Sequence, residues 1–415
     1  MKKANYKDST FNRNLGVLNS LEQGLSPEEV ANSFNISVST IYRIRKLAKH
    51  GGIYSIAPKS KAPKTKPERD KLVIKFLLDI RRKIGFGSEK IYDYLIRHSI
   101  KFGLDKDKIP KPRTIHNILR QKGYIKVYKS GKRLYKPDYY KTRAKNIPNH
   151  IVETDMKIDH YLEKKPVIVN GYIDICSKVI TVGISGSKTT ENSLLNLIEH
   201  VYRWGLPSII KTDNDMCYLG QIEGSSFGKF TRFCLYLGIK QIIIPIHSPR
   251  WNPFIERFFR TWDENVFNRS YHNDRADLKQ KNNEFVEFYL TDRSHQGLRD
   301  LPNNPDKIKM PAEYHQRYAK IIKPISSRKN LIQLVKSLNI PIVKGVFSFI
   351  RKLPESGIIK FKQNKFYIPK SYVGMMIKGT VFVEPDKDHF KVEFYFREHK
   401  IVSSVYNLKK YEHSN

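Results

Sequence analysis

Cysteine is scarce in this chain of 415 residues, which holds only Cys176, Cys217 and Cys234. No two of them form a CxxC pair, and none of the 13 histidines stands at zinc-finger spacing from a cysteine. A disulfide framework and a structural zinc cluster are therefore not expected. Three isolated thiols are typical of a protein that works in a reducing compartment.

Long apolar runs are also missing. The longest, such as residues 242–246, are far too short to cross a bilayer. The first ten residues are polar and lack the apolar segment of a secretory signal. These absences predict a cytoplasmic protein without a membrane partner.

Acidic residues are few beside basic ones, with 40 Asp and Glu against 76 Lys and Arg and a formal net charge of +36. Such an excess indicates a polyanionic partner, nucleic acid first and a membrane surface second. The apolar fraction of 40%, with 12% aromatic residues, is sufficient for folded cores. A chain of this length is expected to form two to four domains.

The charge is distributed unevenly along the chain. Residues 1–150 hold 35 basic and 12 acidic side chains, residues 151–300 hold 19 of each, and residues 301–415 hold 22 and 9. A neutral middle part therefore lies between two cationic arms. The lysine- and proline-rich stretch 58–67 and the basic stretch 124–147 are predicted linkers. The second, in which tyrosines alternate with lysines and arginines, is either a solvated linker or a strap along a phosphate backbone.

The first arm, residues 1–57, carries a helix-turn-helix pattern in residues 27–46. Asn35 stands at the turn, where it tolerates a left-handed conformation, and Ser26 and Pro27 form a helix start. The apolar or small positions of the pattern are Val30, Ala31, Phe34, Ile36, Ile41 and Ile44. We expect a second helix from about Ser37 that presents four residues to a DNA major groove, namely Ser37, Ser39, Thr40 and Arg43. An ordinary pair of packed helices is the alternative.

Residues 68–123 predict a second helix-turn-helix or winged-helix-like module. A helix over 68–83 is broken at 85–88, Ser88 is the expected cap of the next helix, and Pro112 precedes a third. Helices that serve only for packing are the alternative for this module.

The neutral part, residues 148–320, alternates strand and helix patterns, and three of its carboxylates border regular elements. Asp155 ends a first strand, Asp213 follows a later strand, and Glu256 lies on a helix that Asn252 can cap. Carboxylates at strand ends can converge in an α/β sheet, although a lone acid is usually a solvated turn residue. Their hard oxygen atoms suit Mg²⁺ or Mn²⁺. Two such ions can activate a water or a 3′-hydroxyl and stabilise the leaving oxygen of a phosphodiester.

The order of these motifs resembles a known family. Thr154-Asp155, Thr212-Asp213-Asn214 and the stretch NPFIER at 252–257 are similar to the DDE core of insertion-sequence transposases and retroviral integrases. The stretch DRSHQGL at 292–298, with Pro302 and Pro305, resembles the segment that follows that core. The likeness covers roughly residues 10–320, and the paired N-terminal modules match the arrangement of bacterial and archaeal insertion-sequence enzymes.

The resemblance implies an RNase H-like core in which Asp155, Asp213 and Glu256 are the catalytic, metal-binding triad. It implies Mg²⁺ or Mn²⁺ as cofactor, two ions per site, and double-stranded DNA as partner, both the terminal repeats of a mobile element and the target. It also implies a homo-oligomer assembled on DNA and a prokaryotic, nucleoid-associated location.

Two features depart from the family pattern. Between Asp213 and Glu256 lie 42 residues, more than is common, and we expect the excess in the loop 217–228. Pro253 stands where many relatives have glycine, which remains compatible with a helix start.

Other acids compete for the same roles, namely Asp159, Asp174, Asp215 and Glu264. Asp159 would replace Asp155 if the register of the first strand were different. Arg257 and Arg260, next to Glu256, suit a phosphate contact, and their alternative is ion pairing within the helix to Asp263 or Glu264.

The C-terminal arm, residues 321–415, is strand-rich over 357–368, 375–383 and 389–402. This pattern predicts a small antiparallel β-barrel and resembles the C-terminal barrel of Mu-type transposases and integrases. It would bind DNA backbone without reading sequence, or serve protein contacts only. The whole chain thus predicts a transposase with helical DNA-binding modules, an α/β core and a small β-barrel. A non-catalytic DNA-binding regulator, a decayed transposase and a plain nuclease are the alternatives.

Overall fold

The computed structural model describes residues 9–58, 70–125, 147–220, 227–246, 248–293, 295, 298, 327–337, 340–361, 364–385 and 389–407. The chain forms two compact units, Met1–Arg69 and Asp70–Asn415. Most of both predicted linkers lies outside the described residues, so their structure stays a prediction. Within the described ranges, no helix combines the length and apolar character needed to cross a membrane.

The first unit is helical, and its helices are α1 (Ser9–Glu22), α2 (Pro27–Phe34) and α3 (Val38–Gly51). Its core includes four of the residues expected there, Val30, Ala31, Ile41 and Ile44. A capping box starts α2, because the Ser26 hydroxyl accepts a hydrogen bond from the Glu29 N–H and the Glu29 carboxylate accepts one from the Ser26 N–H. Asn35, between α2 and α3, has φ 53° and ψ 49°. The two predicted helices and their left-handed turn are thus present.

The second unit begins with three helices, α4 (Lys71–Ile84), α5 (Ser88–Arg97) and α6 (Pro112–Gln121). Gly85, with φ 73°, ends α4. Gly87 is the N-cap residue of α5 and Ser88 is its first residue, so the predicted capping role of Ser88 is wrong. Residues 70–125 contain no strand, and a wing is therefore not found in this part of the chain.

The rest of the unit is built on a mixed sheet. Its strands are β1 (Ile151–Leu162), β2 (Lys165–Asp174), β3 (Ile180–Ser185), β4 (Ile209–Thr212), β5 (Lys240–Ile243), β6 (Gly345–Lys352), β9 (Met376–Glu384), β10 (His389–Phe396) and β11 (His399–Asn407), and a separate hairpin is formed by β7 (Ile358–Phe361) and β8 (Asn364–Tyr367). The strand order is β3-β2-β1-β4-β5-β6-β9-β10-β11. Strands β1, β4, β5 and β6 are parallel neighbours, whereas the outer pairs are antiparallel.

Helices cover both faces of the sheet from β3 to β5. They are α7 (Thr190–Trp204), α8 (Met216–Leu219), α9 (Lys229–Tyr236), α10 (Pro253–Trp262), α11 (Arg275–Thr291) and α12 (Arg328–Lys336). Alternation along β2 separates the faces: Ile168 and Tyr172 pack with α7, α9 and α12, whereas Val169 and Ile173 pack with α10 and α11. The two faces of the core sheet therefore have separate apolar layers.

The C-terminal strands differ from the predicted closed barrel. Strand β6, which the sequence pattern did not predict, pairs in parallel with β5 through Ile242–Ser348 and Ile243–Phe349. The antiparallel strands β9, β10 and β11 follow it, so this region continues the core sheet. The β7–β8 hairpin covers one face of it, with the rings of Phe361 and Phe349 stacked 4.3 Å apart. Among the described strands, no pairing closes a barrel. Strand β6 pairs with β5 along one edge and with β9 along the other, so neither edge is left for β11.

Candidate active site

Two of the predicted carboxylates lie side by side on parallel strands. The register pairs Ile151 with Ile209 and Glu153 with Lys211. Continued by two residues, it places Asp155 of β1 beside Asp213, the residue that follows β4. Neighbouring strands lie about 4.8 Å apart. The sheet thus brings together two acids that are 58 positions apart in the chain.

Asp155 faces the side of the sheet that α10 covers. Its cross-strand partner is Gly171 on β2, and directly opposite residues share a face. A Cβ atom on Gly171 would lie 2.8 Å from Cδ1 of Ile255 and 3.1 Å from Cε1 of Phe259. The glycine therefore allows α10 to approach the sheet next to Asp155.

Glu256 is on the first turn of α10 and is exposed. It lines a cleft of about 480 Å³ together with Asp155 and Arg260. The structure thus brings Glu256 to the same cleft as Asp155. Of the two arginines predicted as phosphate contacts, Arg260 lies in the cleft. Arg257 instead lies close enough to Lys90 and Arg293 for its charge to lower the pKa of both.

The expected ion pairs of these arginines with Asp263 do not form in the described part of the chain. The Asp263 carboxylate is held instead by Lys157, with 2.5 Å between Nζ and Oδ2, and by His160, with 2.7 Å between Nε2 and Oδ1. These contacts fasten the end of α10 to β1.

The N-terminus of α10 is held by a buried glutamate from β1. One carboxylate oxygen of Glu153 accepts hydrogen bonds from the N–H groups of Phe254 (2.8 Å) and Ile255 (3.1 Å). The other lies 2.8 Å from Nζ of Lys211, which also donates to the Trp251 carbonyl. Asn252 occupies the N-cap position, as predicted, but its side chain makes no capping hydrogen bond. A negative group at a helix N-terminus is favourable, and Glu153 provides it.

The electrostatics of the site favour a bound cation. Burial and the negative charges of Asp213 and Glu256 raise the pKa of Asp155 to about 7. Burial also raises the pKa of Asp213, and the charge of Asp215 adds to that rise. Lys188, which lies 2.5 Å from Asp215, offsets part of this effect for both residues. The partly buried acids therefore repel one another, which a cation would relieve.

The donor set suits Mg²⁺ or Mn²⁺, since it consists of carboxylate oxygens. Asp155 and Asp213 fit this role by their adjacent positions, and Glu256 fits it as an exposed acid on the same cleft. Among the described residues, no group of three or more His, Cys, Asp or Glu side chains is gathered closely enough to hold a metal ion.

The competing acids have other contacts. Asp174 is fully buried, and its carboxylate accepts hydrogen bonds from the Ser177 N–H and hydroxyl in the turn after β2. Asp215 caps α8. Glu264 lies beyond the cleft, in a pocket with Lys90 and Arg293. The side chain of Asp159 lies outside the described residues, so its exchange with Asp155 stays untested.

The stretch between Asp213 and Glu256 contains a loop after α8, and the two ends of this loop lie close together. A Cβ atom on Gly220, which has φ +73°, would lie 2.5 Å from Cα of Gly228. The two glycines close the loop, and residues 221–226 between them lie outside the described part. Both flanking elements, β4 and α9, are intact, as the sequence predicted.

The residues predicted to read DNA lie at the start of α3. Ser37 is the N-cap residue, and its hydroxyl lies 2.9 Å from the hydroxyls of Ser39 and Thr40. Ser39 and Arg43 are exposed, and Thr40 is half-buried. Ser37 therefore has a structural role in addition to the predicted one. DNA contact by these four residues stays a prediction.

Sequence reasoning missed several residues that position the site, namely Glu153, Lys157, Gly171, Lys188 and Lys211. Glu153 could have been found, since it lies two residues before Asp155 on the same face of a strand. The partners of the others depend on strand order, which local patterns do not show.

Comparison with known proteins finds a family match over one part of the chain. Residues 237–302, which include Glu256, match the integrase core domain family. Only part of the DRSHQGL segment can be placed. The Asp292 carbonyl accepts a hydrogen bond from Arg97 of α5, and its carboxylate lies 3.2 Å from Nε2 of His98. Arg293 lines the pocket with Glu264, and Leu298 is buried. No curated protein sequence matches the chain closely enough to be called a relative.

Several solved structures are similar to part of the chain. The catalytic core domain of HTLV-2 integrase in complex with magnesium is 18% identical with a TM-score of 0.30, and the match covers 36% of this chain and 92% of that one. The core domain of BIV integrase is 15% identical, with a TM-score of 0.30 and coverage of 42% and 97%. The simian T-cell lymphotropic virus intasome is 16% identical, with a TM-score of 0.33 and coverage of 54% and 74%. The family match over residues 237–302 supports membership of the integrase and transposase superfamily, whose core has an RNase H-like fold.

Proposed function

We propose that this chain is a DDE-type transposase that cleaves DNA at the ends of a mobile element and joins the freed ends to target DNA. The observation that carries the proposal is the position of Asp155 on β1 beside Asp213 at the end of the parallel strand β4, with Glu256 on α10, which packs on β1 and lines a cleft with Asp155. The match of residues 237–302 to integrase cores supports a polynucleotidyl transferase.

The chain's own groups have distinct roles in this reaction. Asp155, Asp213 and Glu256 would hold divalent ions, which when bound supply an activated oxygen nucleophile and stabilise the leaving oxygen. Arg260, in the same cleft, holds a non-bridging phosphate oxygen. Glu153 and Lys211 position α10 and hence Glu256.

The reaction proceeds in two displacements at phosphorus. In the first, a water oxygen attacks the phosphodiester at the element's end, the bond from phosphorus to the 3′-oxygen breaks, and that oxygen leaves as a 3′-hydroxyl after taking up a proton. In the second, this hydroxyl loses its proton and attacks a target phosphodiester, whose 3′-oxygen leaves. No covalent bond to the protein forms.

DNA binding is assigned to the cationic arms. Arg43 and Ser39 on α3 would read the terminal repeats in a major groove, and the basic C-terminal strands would bind backbone. Assembly of several copies on DNA would bring two ends together.

The decisive experiment is a strand-transfer assay with Mg²⁺ or Mn²⁺ on DNA that carries the sequences flanking the gene. The proposal predicts 3′-hydroxyl ends followed by joined products. Since no three donors are gathered in the described structure, a DNA-binding regulator is the second candidate. Tight binding to the flanking DNA without nicking in either metal would favour it, and hydrolysis without joining would indicate a nuclease.

A further inference from the structure

A second pocket, distinct from the carboxylate cleft, lies between the helices of residues 70–125 and the core. Its volume is about 700 Å³. We call it the cationic pocket, because four basic side chains line it from separate segments: Arg82, Lys90, Arg269 and Arg293. Glu89 and Glu264 also line it, so cations outnumber acids by two to one.

The walls of the pocket are fastened together by contacts on both sides. The ring of Phe86, before α5, stacks on Phe288 of α11 with 5.8 Å between centroids. Nε2 of His98 lies 3.2 Å from Oδ1 of Asp292. Arg81 donates to the carbonyls of Gly85 and Phe86 and fixes the turn that leads into α5. The pocket is therefore formed by packed elements in the folded protein.

Two of the cations are held in the pocket without a carboxylate hydrogen-bond partner in the described structure. Nζ of Lys90 lies 5.8 Å from the centroid of the Phe86 ring. Nη2 of Arg293 donates to the Thr261 hydroxyl over 3.3 Å. Burial and the charge of Arg293 lower the pKa of Lys90 to about 8, and burial lowers that of Arg293. Holding these cations close together costs free energy, which an anion would offset.

The remaining lining suits an anion with phosphate chemistry. Helix α5 starts at the pocket with Ser88, Glu89 and Lys90, and no side chain caps its first N–H groups. Such a helix start is favourable for phosphate oxygens. Asn268 adds an amide group that can donate to a further oxygen, whereas the amide of Asn265 donates to the Thr261 carbonyl over 2.7 Å.

The pocket is connected to the carboxylate cleft through α10 and the turn that follows it. Asp263 lines the cleft, and the next residue, Glu264, lines the pocket. Arg257, which follows Glu256, lies close enough for its charge to lower the pKa of Lys90. A DNA strand that reaches the cleft can therefore place another of its phosphates in the pocket.

We propose that the cationic pocket binds a phosphodiester of the DNA substrate's backbone and so positions the strand relative to the carboxylate cleft. This inference rests on the proposed function. It assigns a DNA contact to the junction of the second helical module and the core, in addition to any contact made by α3.

The test is the salt dependence of DNA binding by the full chain in EDTA, which requires no catalysis. Each lost phosphate contact lowers the slope of log Kd against log salt by about 0.9 for duplex DNA. Lys90→Gln is expected to lower the slope by that amount, and Lys90→Arg to retain it. Lys279→Gln, which removes an exposed charge outside the pocket, is the matched control and should leave the slope unchanged. Equal slopes for Lys90→Gln and the wild type would overturn the proposal, as would equal losses for Lys90→Gln and Lys279→Gln.

A second measurement separates DNA from a small anion as the occupant. Inorganic phosphate is titrated against the thermal unfolding of the wild type and Lys90→Gln, and is then used to compete with DNA. The proposal is supported if phosphate displaces DNA from the wild type more effectively than from Lys90→Gln. Stabilisation by phosphate that depends on Lys90 but leaves DNA binding unaffected would overturn it in favour of a small-anion site. A further outcome is that Lys90→Gln lowers the salt slope relative to the wild type while the wild type shows no strand transfer in Mg²⁺ or Mn²⁺. In that case the proposed function fails and the pocket assignment stands.

Discussion

Glu153 and Lys211 form a buried ion pair, with 2.8 Å between Oε1 and Nζ, that joins the two strands leading to Asp155 and Asp213. The second carboxylate oxygen of Glu153 holds the first N–H groups of α10, the helix of Glu256. One ion pair thus connects all three elements that carry the candidate triad. Because neither partner touches the cleft, both are positioning residues.

Replacement of Glu153 by glutamine should weaken this connection while preserving the side chain's shape. Lys211 would be left as a buried charge without its partner, a change that typically costs about 3–5 kcal/mol. We expect a lower free energy of unfolding and a fall in the rate of strand transfer, with DNA affinity unchanged. Denaturant unfolding and single-turnover kinetics measure the two effects.

A double variant separates stability from positioning. Glu153→Gln with Lys211→Met removes the unpaired charge and should recover much of the stability, yet not the rate, since α10 still lacks its anionic cap. Glu287→Gln, on the exposed face of α11, is the control and should alter neither. Full recovery of the rate in the double variant would show that Glu153 acts on stability alone.

Gly171 should be intolerant of a side chain because α10 packs against it. A methyl group would lie 2.8 Å from Cδ1 of the fully buried Ile255, and such overpacking costs about 1–3 kcal/mol. Gly171→Ala is expected to lower both the melting temperature and the rate of strand transfer. Gly183→Ala, which meets Asn196 of α7 instead, should retain the rate. Equal rates for Gly171→Ala and the wild type would mean that α10 need not approach this closely.

The pH dependence of stability should report the repulsion between the acids. The pKa of Asp155 is about 7 in the folded protein and near 3.8 when unfolded, so the folded state binds this proton more tightly. The wild type should therefore lose stability as pH rises from about 4 to 7. In EDTA, Asp155→Asn should avoid this loss, and its gain in melting temperature should grow from pH 4 to pH 8. A gain that is the same at both pH values would contradict the assignment.

Arg43 should contribute to sequence recognition by the first unit. It is exposed on α3, and loss of a base contact of this kind costs about 1–3 kcal/mol. Arg43→Ala is expected to reduce affinity for the flanking DNA more than for unrelated DNA. Arg45→Ala, an exposed neighbour outside the predicted set, is the control. An equal reduction on both DNAs would assign Arg43 to backbone contact only.

Much of the core could be predicted from the sequence because the decisive signals are local. Alternation predicts β1 and β4, and Pro253 predicts the start of α10. Motif order predicts Asp155, Asp213 and Glu256 as the triad, which stays a prediction. In contrast, the parallel pairing of β5 with β6 is a contact across about a hundred residues, and alternation does not specify which edge a strand joins. The described strands therefore do not form the closed barrel that the sequence predicts.

The contacts that position the site could not be predicted, because the spacing of residues along the sequence does not show which distant residues meet. Asn252 and Ser88 are common capping types, yet α10 is capped by Glu153 from another strand and α5 starts one residue earlier than expected. The role of Gly171 follows from cross-strand register alone. Local sequence preferences predicted the helices and strands. Contacts with residues that are distant in the chain determine how the ends of the helices are capped.

We propose that Asp155, Asp213 and Glu256 form one catalytic site, of which Glu256 is the most exposed member. The most direct test is strand transfer in Mg²⁺ by Glu256→Gln, Asp155→Asn and Asp213→Asn, each with DNA affinity measured alongside. We predict loss of both cleavage and joining in all three variants with DNA binding retained. Glu287→Gln, an exposed acid outside both the cleft and the cationic pocket, should remain active. Full activity in any of the three variants would contradict the site.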